Sequence, residues 1–407
     1  MMNRRHFLKS SAAVAAPSFG LAAAQDEELG RVTERPVFDM SALADPVIIK
    51  SIDLLRAGRE YMIRVRSEEG AESVTFANPT RMRYTEELLL QRVIPSFVGQ
   101  DARRLESLLF EVYRASSNYK LQGLLFWSCV AAVEAGVIDL LGQISKRSIG
   151  DLFGGVKRRS IPVYRASSNR GNTPEAEIHH LRKLVAGTGV KALKWRAGGR
   201  MSKNRDEPPG RTEALIPLVR ETFGDDFTIY ADSNSSYDVA EAVRIGRLME
   251  EQNYAFFEEP CPFDDLWSTR EVTRQLQIPI AGGEQEFSMR RFRWAIENEV
   301  MDIAQPDLVY FGGFIRCAKV AALAKQRDMP CTVHMSGSGL GFVKAVHFAS
   351  FVDDPGDYQE FKGESNLPVE VEGSDLRCHD GVIQVPTGPG FGVTIDPDYV
   401  DKAQRVG

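Results

Sequence analysis

Three stretches decide the fold: Tyr230-Ala231-Asp232-Ser233-Asn234, Phe257-Glu258-Glu259-Pro260 and Gly282-Gly283-Glu284. Each closes a short β-rich run on an acid, and 26 residues separate Asp232 from Glu258 and Glu258 from Glu284. Asp307, His334 and Glu360 follow at steps of 23, 27 and 26 residues. That step is the length of one strand–helix unit in a barrel of typical size, so these residues are expected at one level of successive strands. In a barrel that level is the mouth, where strand ends converge and residues distant in sequence become one cluster.

The flanking pattern agrees. Short β-rich runs at 161–164, 192–195, 228–231, 255–257, 278–281, 302–304, 332–333 and 358–361 alternate with amphipathic helices. Eight such strands in a row imply a barrel or a long doubly wound sheet. Before them, alternation at 47–55, 60–66 and 72–77 reads as a small antiparallel sheet. Apolar residues at three- and four-residue intervals over 84–94, 103–113 and 121–144 place helices on it. The tail after residue 366 has no place in the barrel rhythm and is expected to fold back onto the first domain. The expected division is an export signal at 1–24, a linker at 25–35, an α+β domain at 36–158, the barrel at 159–365 and the returning segment at 366–407.

At the N-terminus, Asn3-Arg4-Arg5-His6-Phe7-Leu8-Lys9 precedes a small-residue apolar run ending in Ala22-Ala23-Ala24. The run is too short to span a bilayer comfortably, and its end has the A-x-A look of a cleavage site. The paired arginines resemble a twin-arginine signal, so the expected location is periplasmic, with no stable membrane anchor once the signal is removed. Cys129, Cys261, Cys317, Cys331 and Cys378 are scattered with no C-x-x-C spacing and are expected as buried thiols, tolerable in a protein that folds before export. With 43% apolar residues, 26% charged residues and a net charge of -6, the chain is a soluble globular type. It lacks the basic excess that nucleic acid demands.

Asp232, Glu258 and Glu284 on adjacent strands cannot share a low-dielectric site without a cation, and hard oxygen ligands favour one Mg²⁺ over zinc. Asp307 beside His334 would fix the imidazole tautomer and raise its basicity, as a general acid/base needs. Lys194 and Arg196 are two apart on one strand and face the same way. The guanidinium would lower the pKa of Lys194 and make it a base, with a pair of carboxylate-binding cations as the other reading. The glycine-rich basic loop over 198–211 either shapes the mouth and meets an anionic substrate or is plainly solvated. Asn234, Arg200 and Arg211 are the expected substrate contacts.

Taken together, Ala192-Leu193-Lys194-Trp195-Arg196, Asp232-Ser233-Asn234, Phe257-Glu258-Glu259-Pro260, Gly283-Glu284, Pro306-Asp307, His334 and Glu360 resemble the mandelate racemase branch of the enolase superfamily. The resemblance covers essentially everything after the signal. It implies an α/β fold: a modified TIM barrel, (β/α)7β, with an α+β capping domain formed by the N-terminal segment and the C-terminal tail. It further implies Mg²⁺ on Asp232, Glu258 and Glu284, with Lys194 and the His334–Asp307 dyad as acid/bases on opposite faces of a small anionic carboxylic acid. Glu360 would be a protonated donor to the substrate carboxylate, and the assembly a homo-oligomer. One departure is Arg196, where the family commonly has lysine, and it leaves the substrate in doubt. The implied chemistry is abstraction of the proton α to a carboxylate through an enediolate. Dehydration of a sugar acid to a 2-keto-3-deoxy acid is the favoured outcome, in carbohydrate acid catabolism. The alternatives are racemisation or epimerisation of a 2-hydroxy acid or amino-acid derivative, and a noncatalytic sugar-acid binder.

Overall fold

Buried and outward residues alternate along the third strand, whereas the first two carry runs of consecutive buried residues. β1 (Ile49–Ala57), β2 (Glu60–Ser67) and β3 (Glu72–Ala77) pair antiparallel in that order. The computed structural model describes residues 31–337 and 340–407, so the expected signal at 1–24 and most of the expected linker lie outside the described residues. Helix α2 (Leu124–Ser145) packs on the sheet, and α1 (Leu105–Arg114) packs against α2. Every residue of α2 from Phe126 to Gly142 is buried, so this apolar 22-residue helix is a core element, although by length and hydropathy it could cross a membrane. Gly136 permits the close approach, because a Cβ there would stand 2.8 Å from a Val65 methyl carbon on β2.

The barrel then builds unit by unit: β4 (Ser160–Ala166), α3 (Pro174–Val185), β5 (Ala192–Arg196), α4 (Arg211–Phe223), β6 (Thr228–Asp232), α5 (Val239–Glu251), β7 (Phe256–Glu258) and α6 (Leu266–Gln275). It continues with β8 (Ile280–Gly282), α7 (Met289–Glu297), β9 (Ile303–Ala304), α8 (Phe314–Lys325), α9 (Gly341–Phe351) and β10 (Gln359–Phe361). The strands pair in parallel, and β10 returns to β4. Side chains alternate with the period of two that extended chain imposes. Leu193, Trp195, Ile229 and Phe257 pack with the helices. Ala192, Tyr164, Tyr230 and Phe256 fill the interior, where Tyr230 and Phe256 stack at 3.8 Å. Lys194 and Arg196 share the parity of Ala192 and therefore face inward.

Two acids inside α2 tie the domains together. Glu134 accepts the backbone N–H groups of Phe314 (2.6 Å) and Ile315 (3.0 Å), capping α8 from another domain. Gly313 makes room: its φ is +106°, and a Cβ would fall 1.8 Å from Glu134 Oε2. Asp139 accepts the N–H of Phe391 at 2.8 Å, anchoring the tail.

Several expectations are corrected. The seventh strand, expected at 332–333, is reduced to single bridges of Ala304 with Cys331 and Asp307 with His334. Pro306 and Pro330 lack the N–H that a regular ladder needs. The helix expected over 84–94 is an α turn at Glu86–Leu88, a π turn at Leu89–Val93 and a 3-10 turn at Ile94–Ser96, the last holding Pro95. The tail divides between the domains. β11 (Val369–Val371) pairs β13 (Val393–Ile395), β12 (Val382–Gln384) runs antiparallel to barrel strand β4, and β14 (Gln404–Val406) pairs β1 of the capping sheet. Residues 31–34 of the expected linker are helical, and Lys319 on α8 donates to Thr33 O. Four cysteines are buried thiols, whereas Cys378 is partly exposed.

Burial pushes Glu134 up to about 8, against the attraction of the two amides and of Lys344 and Arg316, and pushes Asp139 up to about 7. A carboxyl raised by folding binds its proton more tightly in the native state, so its contribution is complete below the unfolded value and is lost as pH rises through the folded one. Burial lowers Lys344 to about 8, and its opposite contribution changes only above that pH. The urea midpoint is therefore expected to carry a downward component between about pH 4 and pH 8, and Glu134→Gln to flatten that slope.

Candidate active site

The strand ends deliver the cluster. In the parallel ladder Arg196 sits opposite Asp232, and Asp232 opposite Glu258, so three side chains leave one level of β5, β6 and β7. Glu284 arrives differently, two residues beyond β8, after a turn at Gly283 with φ +107°. A Cβ on Gly283 would stand 2.6 Å from the Phe292 ring, so this turn needs glycine. Asp232, Glu258 and Glu284 are buried, and one carboxylate oxygen of each lies within 4.8 Å of the others. Among the described residues, Glu284 Oε2 accepts no aligned hydrogen bond, although His334 Nε2 stands 3.1 Å away. Three converging hard oxygens with a buried lone pair left over fit a small divalent cation such as Mg²⁺.

Around this centre stand the proton-transfer candidates. Lys194 Nζ is 2.8 Å from Glu258 Oε2 and 3.6 Å from Glu360 Oε1. His334 Nδ1 meets Asp307 Oδ2 at 2.6 Å, while its Nε2 is 3.1 Å from Glu284 Oε2 and 3.9 Å from Glu360 Oε2. Asp307 is held by the N–H groups of Val309 (2.7 Å) and Tyr310 (2.9 Å). Arg196 pairs with Asp232 and donates to Ser167 O. A cavity of about 80 Å³ between β3 and the barrel touches Asp307, His334 and Lys344 and is walled by Phe76, Met335 and Val343.

Electrostatics modify two expectations. Burial pushes Lys194 down, but the carboxylates of Glu258 and Glu360 outweigh it and raise the lysine above its ordinary value. Arg196 does oppose the proton, only more weakly. Burial alone would raise Glu360, yet Lys194, Lys362, His334 and Arg196 hold it well below the usual carboxylate range. It is thus an ionised acceptor in this arrangement; a substrate carboxylate beside it would favour the protonated donor. His334 is raised: burial works against its charge, and Glu284, Asp307 and Glu360 prevail.

The three expected substrate contacts separate. Asn234 belongs to the cluster: its N–H and Nδ2 donate to Asp232 at 2.7 and 3.1 Å. Its Oδ1 accepts from Arg170 (2.6 Å) and from Arg200 (3.2 Å), which is exposed at the rim. Arg211 lies elsewhere and is buried, donating to Arg196 O (2.7 Å), Asn172 O (2.9 Å) and Asn172 Oδ1 (3.0 Å). Sequence reasoning missed Arg170, Glu259, Gln305 and Lys362. Gln305 donates to Glu258 Oε2 at 3.2 Å, and Lys362 Nζ lies 3.7 Å from Glu360 Oε2. The Glu258-Glu259 doublet was a usable signal. Glu259 is buried with φ +44°, and burial with Glu284 and Glu258 nearby raises it far above a normal acid.

A parallel barrel with a capping domain, three mouth carboxylates and a lysine and a histidine beside them defines an enolase-type enzyme fold. Residues 177–399 match the family model described as enolase C-terminal domain-like, and the chain belongs to that family, in the mandelate racemase group of the enolase superfamily. Residues 1–18 match the twin-arginine translocation pathway signal sequence, which implies export. The arabinonate dehydratase of Saccharolobus solfataricus is 27% identical over 325 residues, covering 80% of this chain and 84% of that protein. A crystal structure from Roseobacter denitrificans with a provisional racemase description is 30% identical at a TM-score of 0.82, covering 88% of this chain and 99% of that one. The mandelate racemase/muconate lactonizing protein from Paracoccus denitrificans PD1222, complexed with magnesium, shares the fold at 24% identity and a TM-score of 0.79, with 88% and 99% covered. Dehydratases, cycloisomerases and racemases recur among the relatives, and the chain is an enzyme of this superfamily.

The hydrogen bonds of Arg211 separate a structural from a substrate role. Arg211→Met is expected to cost about 2–4 kcal/mol in denaturant unfolding, because buried carbonyls lose their donor. A raised KM at unchanged stability would make Arg211 a substrate contact instead.

Proposed function

We propose that this enzyme removes the α-proton of a sugar acid and expels the β-hydroxyl, giving a 2-keto-3-deoxy acid, after export to the periplasm. The observation that carries the reading is the gathering of Lys194 and the His334–Asp307 dyad around the three carboxylates. One base takes the α-proton and leaves the electron pair in an enediolate. Collapse of that pair breaks the β-carbon–oxygen bond, and His334 gives the departing hydroxide its proton, so that water leaves. The enol then tautomerises to the ketone. One Mg²⁺ per subunit on Asp232, Glu258 and Glu284 would neutralise these carboxylates, weaken the attraction that keeps Lys194 protonated, and offset charge developing on the substrate carboxylate. Arg200, exposed beside Asn234, would meet the substrate's polar groups. Exposed Tyr84, Phe110 and Leu125 on the capping domain suit a homo-oligomer.

The same pair of groups serves racemisation or epimerisation, in which the second group returns a proton to the opposite face, and the Roseobacter relative favours keeping that reading. Sugar and hydroxy acids incubated with Mg²⁺-loaded enzyme in D₂O and followed by proton NMR decide between them. Loss of the α-proton with a new 2-keto product is expected; α-deuteration without loss of water would establish the racemase or epimerase. Lys194→Ala and His334→Asn are each expected to lower turnover by roughly 10²–10⁴-fold. Silence across the library with Mg²⁺ bound would contradict both and point to a binder.

A further inference from the structure

Lys194 is set entirely by barrel residues, but the His334–Asp307 dyad is not. Asn78 follows β3 in the capping domain and caps the short helix Pro79–Met82, its Oδ1 accepting the N–H of Arg81 at 3.1 Å. With that oxygen committed, its Nδ2 donates to Ser336 Oγ at 3.2 Å. Ser336 Oγ in turn donates to Asp307 Oδ1 at 3.2 Å, and the other oxygen of Asp307 holds His334 Nδ1 at 2.6 Å. The approach is close: a Cβ on Gly337, where φ is +77°, would stand 3.0 Å from Asn78 Nδ2.

The same capping turn supplies a second strut. Arg81 Nε donates to Tyr310 OH at 3.0 Å, and the guanidinium lies 4.9 Å over the Tyr310 ring. The backbone N–H of Tyr310 donates at 2.9 Å to that same Asp307 Oδ1. Two paths from one turn of the capping domain therefore meet on one oxygen of the carboxylate that orients the histidine. Ser336 and Asp307 are buried, so a partner lost from this chain leaves a buried polar group short of a hydrogen bond. Lys194 receives its contacts from Glu258 and Glu360 on β7 and β10, with the Tyr164 ring 5.3 Å away.

We propose that Asn78 and Ser336 are positioning residues that make the histidine face of the site, and not the lysine face, depend on docking of the capping domain. The inference rests on the two-base reading above. Uncoupling the cap removes one of three donors on Asp307 Oδ1, leaving Val309 and Tyr310 N–H, and the loosened carboxylate misaligns His334; a displacement of about 1 Å at a catalytic group costs up to about 10²-fold in rate. Proton exchange by Lys194 is untouched.

Two readouts test this on the full-length protein. The first needs no turnover: a downfield proton NMR signal of His334 Nδ1–H, identified by its loss in His334→Asn. In Asn78→Ala and Ser336→Ala it is expected to move upfield and exchange faster with water, and in Ser336→Thr, which keeps the hydroxyl, to return. The second compares C2-epimeric acids in D₂O: the His334-dependent step is expected to fall about tenfold or more, with Lys194-side α-proton exchange within about twofold of wild type. An unmoved Nδ1–H signal, or equal loss on both faces, overturns the proposal. Absence of turnover in the wild type would count against the functional reading alone, and the spectral arm would still decide the relay.

Discussion

Three carboxylates, each buried, point at one another across the mouth of the barrel. At an effective dielectric of about 20, like charges 4–5 Å apart repel by roughly 3–4 kcal/mol per pair, and the basic groups of the site answer that repulsion. Lys194 sits against Glu258, Arg196 against Asp232, and His334 against Glu284. A divalent cation answers it more completely and serves the chemistry too, since charge developing on a substrate carboxylate would meet the same field. The strand ladder makes the convergence compulsory: Arg196, Asp232 and Glu258 are registered partners, so no one of them can leave the mouth without breaking the sheet.

The spacing of the acids carried the barrel because that spacing is itself physical: one strand, one helix and two turns fix the step between Asp232, Glu258 and Glu284. Inward placement of Lys194 and Arg196 was legible from the period of two. The irregular seventh strand was harder to read, since Pro306 and Pro330 interrupt a ladder whose apolar residues still look like strand. Electrostatic sign was the least legible. Arg196 is next but one to Lys194 in sequence, yet Glu258 and Glu360, far along the chain, decide its proton affinity. Arg211 shows the same limit: a basic residue in a basic loop reads as a ligand contact until its carbonyl partners are seen.

The capping domain is more than a cover. Glu134 caps α8 from α2, and Asp139 anchors the tail near Phe391, so the long buried helix holds both the N-terminus of α8 and the segment that returns to β1. Neither acid could be assigned from sequence, because within an apolar helix an isolated Glu or Asp shows no partner. Their partners lie about 180 and 250 residues away, at amides whose orphan status follows only from where α8 and the tail turn begin.

The most direct test of the central claim is anomalous diffraction from crystals of the enzyme soaked in Mn²⁺ as a stand-in for Mg²⁺. A single peak per chain, ligated by Asp232, Glu258 and Glu284, is the result this account requires. A peak bound elsewhere, with the three carboxylates left to Lys194, Arg196 and His334, would contradict it.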